Sequence, residues 1–125
     1  MTSKISIIGG GSWGTALSQV ASTNIKEVLI YVRDKEVVES INNNSINKKY
    51  FPEVKLNKNI KATNEIDDVI EFANDIIVSV PTSATRTIME KISSKLTQEH
   101  TIISTAKGLE IETFKTNSEI MREFF

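Results

Sequence analysis

Gly9-Gly10-Gly11-Ser12-Trp13-Gly14 satisfies G-x-G-x-x-G, a spacing whose chemistry is the holding of a pyrophosphate by backbone rather than by side chains. In such a loop Gly9 permits a tight turn, Gly11 lets the backbone approach the phosphates and Gly14 lets a helix pack closely on a strand. The free N–H groups and positive dipole end of that helix then hold the anion. A glycine run this short also describes a flexible turn capped by Ser12, so the dinucleotide reading depends on a strand ending and a helix beginning here. Arg33-Asp34 follows about twenty residues after Gly14, where a ribose-reading residue falls. An acid there accepts hydrogen bonds from the ribose of NAD, and an arginine accommodates the extra phosphate of NADP. Both types are present, so NAD or NADP is expected, with NADPH slightly favoured by Arg33. The plain alternative is a solvated charge pair at a strand end.

Ala106-Lys107-Gly108-Leu109-Glu110 follows the last of five predicted strands, at residues 101–104. Ligands of open α/β sheets bind outside the carboxyl ends of the strands, so Lys107 emerges on the same edge as the glycine loop. A compact ammonium at that edge can meet a phosphate-bearing substrate or the cofactor; otherwise Lys107 is a solvent-facing loop residue. The single histidine, His100, stands among polar residues and reads as a surface side chain. Trp13 is read equally as a core residue or as a contact to cofactor or to a further domain. The Walker pattern is absent, which argues against a nucleotide-hydrolysing P-loop, and no metal-ligand spacing occurs.

The elements that must position these residues follow from β-branched runs alternating with amphipathic segments, the pattern of βαβ units on a parallel sheet. Strands are predicted at residues 4–8, 28–32, 60–63, 76–80 and 101–104. A helix over 12–22 presents Gly14, Leu17 and Ala21 as a narrow face for close approach to the sheet. Another begins near Glu65, burying Ile66, Val69, Ile70 and Ala73, and a third spans 83–96, with Ile88, Ile92 and Leu96 on one stripe. Pro81 takes the chain out of the sheet. Residues 42–59, rich in Asn and Lys, read as a long connection anchored only at Tyr50-Phe51-Pro52, and Asn43-Asn44-Ser45 as a polar turn. Ile120, Met121, Phe124 and Phe125 form an apolar stripe on a last helix. A domain that stops on such a stripe is expected to be truncated. The fold class is therefore α/β, a Rossmann-type doubly wound domain with a mainly parallel sheet, truncated before the last strand or strands of the order 3-2-1-4-5-6.

At 125 residues, 39% hydrophobic and 25% charged, the chain is sized for one globular domain. Its formal net charge of -1 supplies no field for nucleic acid or an anionic membrane, so a bound anion must be held locally. Without cysteine there is no disulfide framework or thiol nucleophile, which fits a reducing compartment. Met1 to Lys4 lead straight into a strand, with no basic-then-apolar leader, and no apolar run approaches the ~20 residues of a membrane span.

Read together, GGGSWGTAL at 9–17, YVRD at 31–34, the apolar strand ending at Val80-Pro81 and AKGLE at 106–110 resemble the NAD(P)-dependent glycerol-3-phosphate dehydrogenase family. They stand in family order across essentially the whole chain. The resemblance implies a cytoplasmic oxidoreductase interconverting sn-glycerol 3-phosphate and dihydroxyacetone phosphate, a step that feeds glycerophospholipid synthesis. It makes residues 1–125 an incomplete N-terminal NAD(P)-binding domain. Carried over by position, Ser12 and Trp13 contact the cofactor, Arg33 lies at its adenosine phosphate end, Tyr50 covers that end, and Lys107 binds near both cofactor and substrate. The proton-transferring lysine and much of the substrate pocket belong, by the same resemblance, to a helical carboxyl-terminal domain absent from this sequence. No residue here is assigned as catalytic, the fragment alone is expected to be inactive, and the full-length enzyme is expected as a homodimer. Two alternatives stay open: another two-domain dehydrogenase acting on hydroxyacyl or sugar-acid substrates, against which AKGLE counts, and a non-enzymatic dinucleotide-sensing module.

Overall fold

The computed structural model describes residues 3–125; Met1 and Thr2, part of the opening read for a leader, lie outside them. Chain order is β1 (Lys4–Ile8), α1 (Ser12–Ser22), β2 (Glu27–Tyr31), α2 (Lys35–Asn44), β3 (Ile60–Thr63), α3 (Ile66–Phe72), β4 (Asp75–Val78), α4 (Thr82–Ile92), β5 (Thr101–Ser104) and α5 (Asn117–Arg122). The five strands form one sheet in the order β3-β2-β1-β4-β5, every pairing parallel. Side chains alternate across a strand, and in β1 this sorts the core. Ile5 and Ile7 join Val28, Ile30, Val37 and Ile41 on one face, while Ile8 joins Tyr31, Val69, Ile76 and Val78 on the other. Ser6, wholly buried on the second face, donates its hydroxyl to the Val69 carbonyl at 2.7 Å.

The predicted strands are present with small shifts. β4 ends at Val78 because Ser79 and Val80 already turn out toward Pro81, which precedes α4. The helix expected over 83–96 is α4 followed by a 3-10 turn at Ser93–Lys95. Leu17 and Ala21 pack on the sheet as expected, but α1 also buries Thr15, Ser18 and Ser22, so its inner face is more polar than the apolar spacing implied.

The Asn-rich connection is corrected. Its first residues complete α2, which Asp34 caps and which ends at Ser45 in the left-handed region. Within it and beyond it the asparagines are the anchors. Asn42 exchanges two hydrogen bonds with the backbone of Ala62, at 2.9 and 2.8 Å, and so covers the free edge of β3 as a neighbouring strand would. Asn57 and Asn59 bond to Ser22, and Asn59 also to the Ile25 carbonyl. Asn47 is wholly buried, and Leu56 joins the core.

The carboxyl-terminal stripe begins on a last helix as expected, but most of it is covered. A capping box between Thr116 and Glu119 starts α5, Ile120 and Met121 are buried, and Phe124 packs against the second core face. Of the four residues only Phe125 stands exposed. His100 is half-buried rather than free at the surface: its Nδ1 accepts from the Thr97 N–H at 2.9 Å while Nε2 meets the Ile70 carbonyl at 3.1 Å.

The glycines of the first loop carry different constraints. A Cβ on Gly14 would lie 1.9 Å from the Gly9 carbonyl oxygen, whereas one on Gly11 would meet nothing within 4 Å. Gly14→Ala is therefore expected to lower stability by about 1–3 kcal/mol, the overpacking cost exceeding the helix-propensity gain of about 1 kcal/mol. Gly11→Ala should leave stability level or slightly raised. Urea midpoints of the two variants check this; equal midpoints would show that α1 does not need its close seat on β1.

Candidate functional site

A cleft of about 600 Å³ opens at the carboxyl ends of the strands, between the exits of β2 and β4 and over the glycine loop. It lies where the strand order reverses about β1, the usual ligand position in an open parallel sheet. Three close approaches shape its floor. Gly9 has φ +129, and a Cβ there would fall 2.1 Å from the Ser79 carbonyl oxygen; a Cβ on Gly10 would strike Val32 at 2.6 Å; Gly14 seats α1 on Gly9. The Gly9 N–H donates to the Tyr31 carbonyl and the Ser79 N–H to the Ile8 carbonyl, so the loop is pinned to both neighbouring strands. Gly11 precedes α1 and no side chain caps that helix, which leaves its first-turn N–H groups for a ligand or water. Gly11 is the exception among the loop glycines, since the protein itself does not occupy the space beside it.

Of the residues singled out from sequence, Gly9, Gly11, Arg33, Asp34 and Tyr50 line this cleft. Ser12 and Trp13 are exposed at the start of α1, Trp13 by 60%, which removes the core reading for the tryptophan. Gly14 is buried beneath the loop, and Lys107 is exposed on the loop after β5; none of these four is a lining residue. Asp34 does more than stand in a solvated charge pair. Its Oδ1 accepts from the Glu36 N–H at 2.9 Å, capping α2. The Arg33 guanidinium makes no hydrogen bond or ion pair among the described residues. Lys49 and Lys91 also line the cleft, so it collects three cations against one carboxylate. Lys91 shares a face of α4 with Ser83 and Thr87, a helical spacing visible in the sequence. Lys49, with its ammonium 5.6 Å from the Tyr50 ring, sits in the connection that periodicity did not resolve.

The AKGLE loop is held from below. The Thr82 hydroxyl donates to the Lys107 carbonyl at 2.7 Å, and Gly108 takes φ +96, a conformation that favours glycine. One turn further along α4, Arg86 reaches Glu110 through Nε and Nη2, both at 2.9 Å, and Nη2 also meets Glu123 at 2.8 Å. The Arg86 fork, aided by the Thr113 hydroxyl, pushes the Glu110 carboxyl down to about 2, and the two carboxylates raise the guanidinium further. Arg86 was missed from sequence, although Thr82 and Arg86 share one helix face at i, i+4. The Lys107 ammonium has no partner among the described residues. No group of acidic, histidine or cysteine side chains able to hold a metal occurs among them, and no described helix is long and apolar enough to cross a membrane.

The family model for the N-terminus of NAD-dependent glycerol-3-phosphate dehydrogenase matches residues 4–125. A glycerol-3-phosphate dehydrogenase, NAD(P)+, of Halothermothrix orenii is 48% identical over 124 residues, covering 99% of this chain and 36% of its own length. The chain thus spans about a third of the curated relative it matches. The solved glycerol-3-phosphate dehydrogenase of Plasmodium falciparum superposes with a TM-score of 0.88 at 32% identity, over 99% of this chain and 38% of that one. That of Saccharomyces cerevisiae gives 0.90 over 100% and 40%; at 24% identity it bears on the fold alone.

Because Glu110 is held below its ordinary value of 4.5, its pairing with Arg86 stabilises the fold fully above that value and loses its effect as pH falls through about 2. Wild type should therefore be more stable than Glu110→Gln at neutral pH, the gap closing as pH drops from about 4.5 toward 2. Thermal melts across that range check it, and a gap independent of pH would remove the charge as its source.

Proposed function

From the premise that the chain belongs to the NAD-dependent glycerol-3-phosphate dehydrogenase N-terminus family, we propose that it binds NADH or NADPH in the cleft between β2 and β4 and serves the interconversion of dihydroxyacetone phosphate and sn-glycerol 3-phosphate. The observation that carries this reading is the difference among the glycines. Gly9, Gly10 and Gly14 are required by the protein's own backbone and side chains, but nothing in the fold fills the space beside Gly11. A pyrophosphate over Gly11, at the uncapped start of α1, accounts for a glycine that packing does not demand. Ser12 and Trp13 flank that position at the start of the helix. The adenosine end lies toward Arg33, Asp34 and Tyr50, where the positive balance of the cleft favours an added phosphate.

When bound, the nicotinamide cofactor supplies the hydride. The chain's own residues bind and orient it, and Lys107, fixed through its carbonyl by Thr82 but with a free ammonium, offers charge to the substrate phosphate. We assign the proton-transferring group and the rest of the substrate pocket to the larger portion of the relatives' length that this chain does not span. A cysteine-free sequence supports a cytoplasmic setting.

Calorimetric titration tests the site. Gly11→Val should abolish or sharply weaken NADH binding, since the branched side chain takes the space we give to the pyrophosphate. Arg33→Ala should weaken NADPH more than NADH, by roughly tenfold to a hundredfold for a charge-assisted contact worth ~1.5–3 kcal/mol. Unchanged NADH affinity in Gly11→Val would take the loop out of the site, and parallel losses for both cofactors would show that Arg33 does not read the ribose phosphate.

For the reaction, the chain alone should oxidise NADH or NADPH with dihydroxyacetone phosphate at least ~10²–10⁴-fold more slowly than a complete dehydrogenase of the family, the usual effect of lacking a positioned acid or base. Comparable turnover in a side-by-side spectroscopic assay would mean that the proton-transferring group lies within these residues.

A further inference from the structure

Asn47 is wholly buried, and all four hydrogen-bonding positions of its side-chain amide are in use. Its Nδ2 donates to the Gly10 carbonyl at 3.1 Å and to the Thr15 hydroxyl at 2.8 Å. Its Oδ1 accepts from the backbone N–H groups of Lys49 and Tyr50, both at 3.2 Å. One side chain therefore joins the glycine loop to the turn that carries the opposite wall of the cleft. No other side-chain hydrogen bond among the described residues links these two segments.

The bond to Gly10 has a consequence for the loop's polarity. A trans peptide points its carbonyl and its N–H in opposite directions, and no described peptide is cis. With the Gly10 oxygen held by the buried Asn47, the Gly11 N–H is directed away from that amide, and both Gly10 and Gly11 line the cleft. A Gly-Gly peptide has little intrinsic preference between this orientation and its flip. The local sequence does not choose; the buried amide does.

We propose that Asn47 is a positioning residue for the cofactor. It locks the Gly10–Gly11 peptide with its donor facing the cleft, and it sets the Lys49–Tyr50 turn at a fixed distance across from it. The inference rests on the dinucleotide reading of the cleft. Preorganisation of this kind acts on affinity, because a loop and a turn that become ordered only on binding subtract the free energy of that ordering from the interaction with the ligand.

The two halves of the amide can be separated. Asn47→Asp keeps the volume and the acceptor for Lys49 and Tyr50 but loses the donor to Gly10, while Asn47→Ala loses both. NADH titrations of the unaltered chain, both Asn47 variants, Tyr50→Ala and the two double variants, with melts of each, make the test. Both Asn47 variants should unfold cooperatively and bind NADH about tenfold or more weakly. The effect of Tyr50→Ala should persist in the Asn47→Asp background and largely vanish in the Asn47→Ala background, a coupling that a purely stabilising residue would not produce. If Asn47→Ala does not fold, the Asn47→Asp comparison decides alone. Full NADH affinity in folded Asn47→Asp, strict additivity of Asn47→Ala with Tyr50→Ala, or an unfolded Asn47→Asp each overturns the assignment. Should the unaltered chain fail to bind NADH, or Gly11→Val bind it equally well, the dinucleotide reading falls and this inference with it. Normal binding by the unaltered chain, loss in Gly11→Val and indifference to Asn47 would overturn the inference alone.

Discussion

The Gly9 carbonyl and the Cα of Gly14 face each other across a gap too narrow for a methyl group, since a Cβ on Gly14 would come within 1.9 Å of the oxygen. The cleft depends on this approach. It seats α1 directly over the end of the central strand, so that the start of the helix stands between the exits of β2 and β4 instead of beside them. The crowding of Gly9 against Ser79 and of Gly10 against Val32 draws in the two neighbouring strand ends. Backbone is thereby brought to the floor of the cleft with almost no side chain in the way, which is the physical requirement for holding an anion by peptide groups.

Both faces of the sheet bury polar groups among apolar ones. Toward α3, α4 and α5 a core of isoleucine, valine, methionine and Tyr31, with Phe124 against it, also takes in Ser6, Thr85 and Asn117. Toward α1 and the connection before β3, apolar residues share the interior with Thr15, Ser18, Ser22 and Asn47. A buried polar group without a partner costs about 1–3 kcal/mol, so such an interior is stable only when every group is matched. Among the described residues no buried side-chain nitrogen or oxygen lacks a partner. The interior gains directionality from this. An isoleucine can slide among neighbours of similar shape, whereas an amide with four fixed partners holds two segments in one register.

Beyond the cleft the loop after β5 is held at two points one helical turn apart on α4. Thr82 takes the Lys107 carbonyl, and Arg86 takes Glu110 while also reaching Glu123 beyond α5. Asn117 ties the same region to Thr85 and Ser104. The lysine head is left unpaired on a backbone that is not free to drift. A mobile surface lysine offers charge without direction; this one is presented from a fixed base.

Much of the architecture was legible in the residues alone. Period-two and helical spacings locate all five strands and α1, because these rules act within a few residues of one another. The roles of Gly9 and Gly14 could be read for the same reason, as could the place of Arg33 and Asp34 at a strand end. Helix α2 was not, since its apolar face is only Val37, Val38 and Ile41 and its start depends on Asp34, an acid that at a strand end equally suits a ribose. The apolar stripe ending in two phenylalanines gave no hint that α4 would cover most of it. The asparagines are the plainest case. Each declares a donor and an acceptor in the sequence but not their address, and the partners of Asn42 and Asn47 lie 20 and 37 residues away. Local spacing determined the strands, the first helix and the glycine turn; which way the glycine peptide faces, and what stands across the cleft from it, was decided only when the pairing of the parallel strands brought those distant amides into reach, because a hydrogen bond has no range beyond contact.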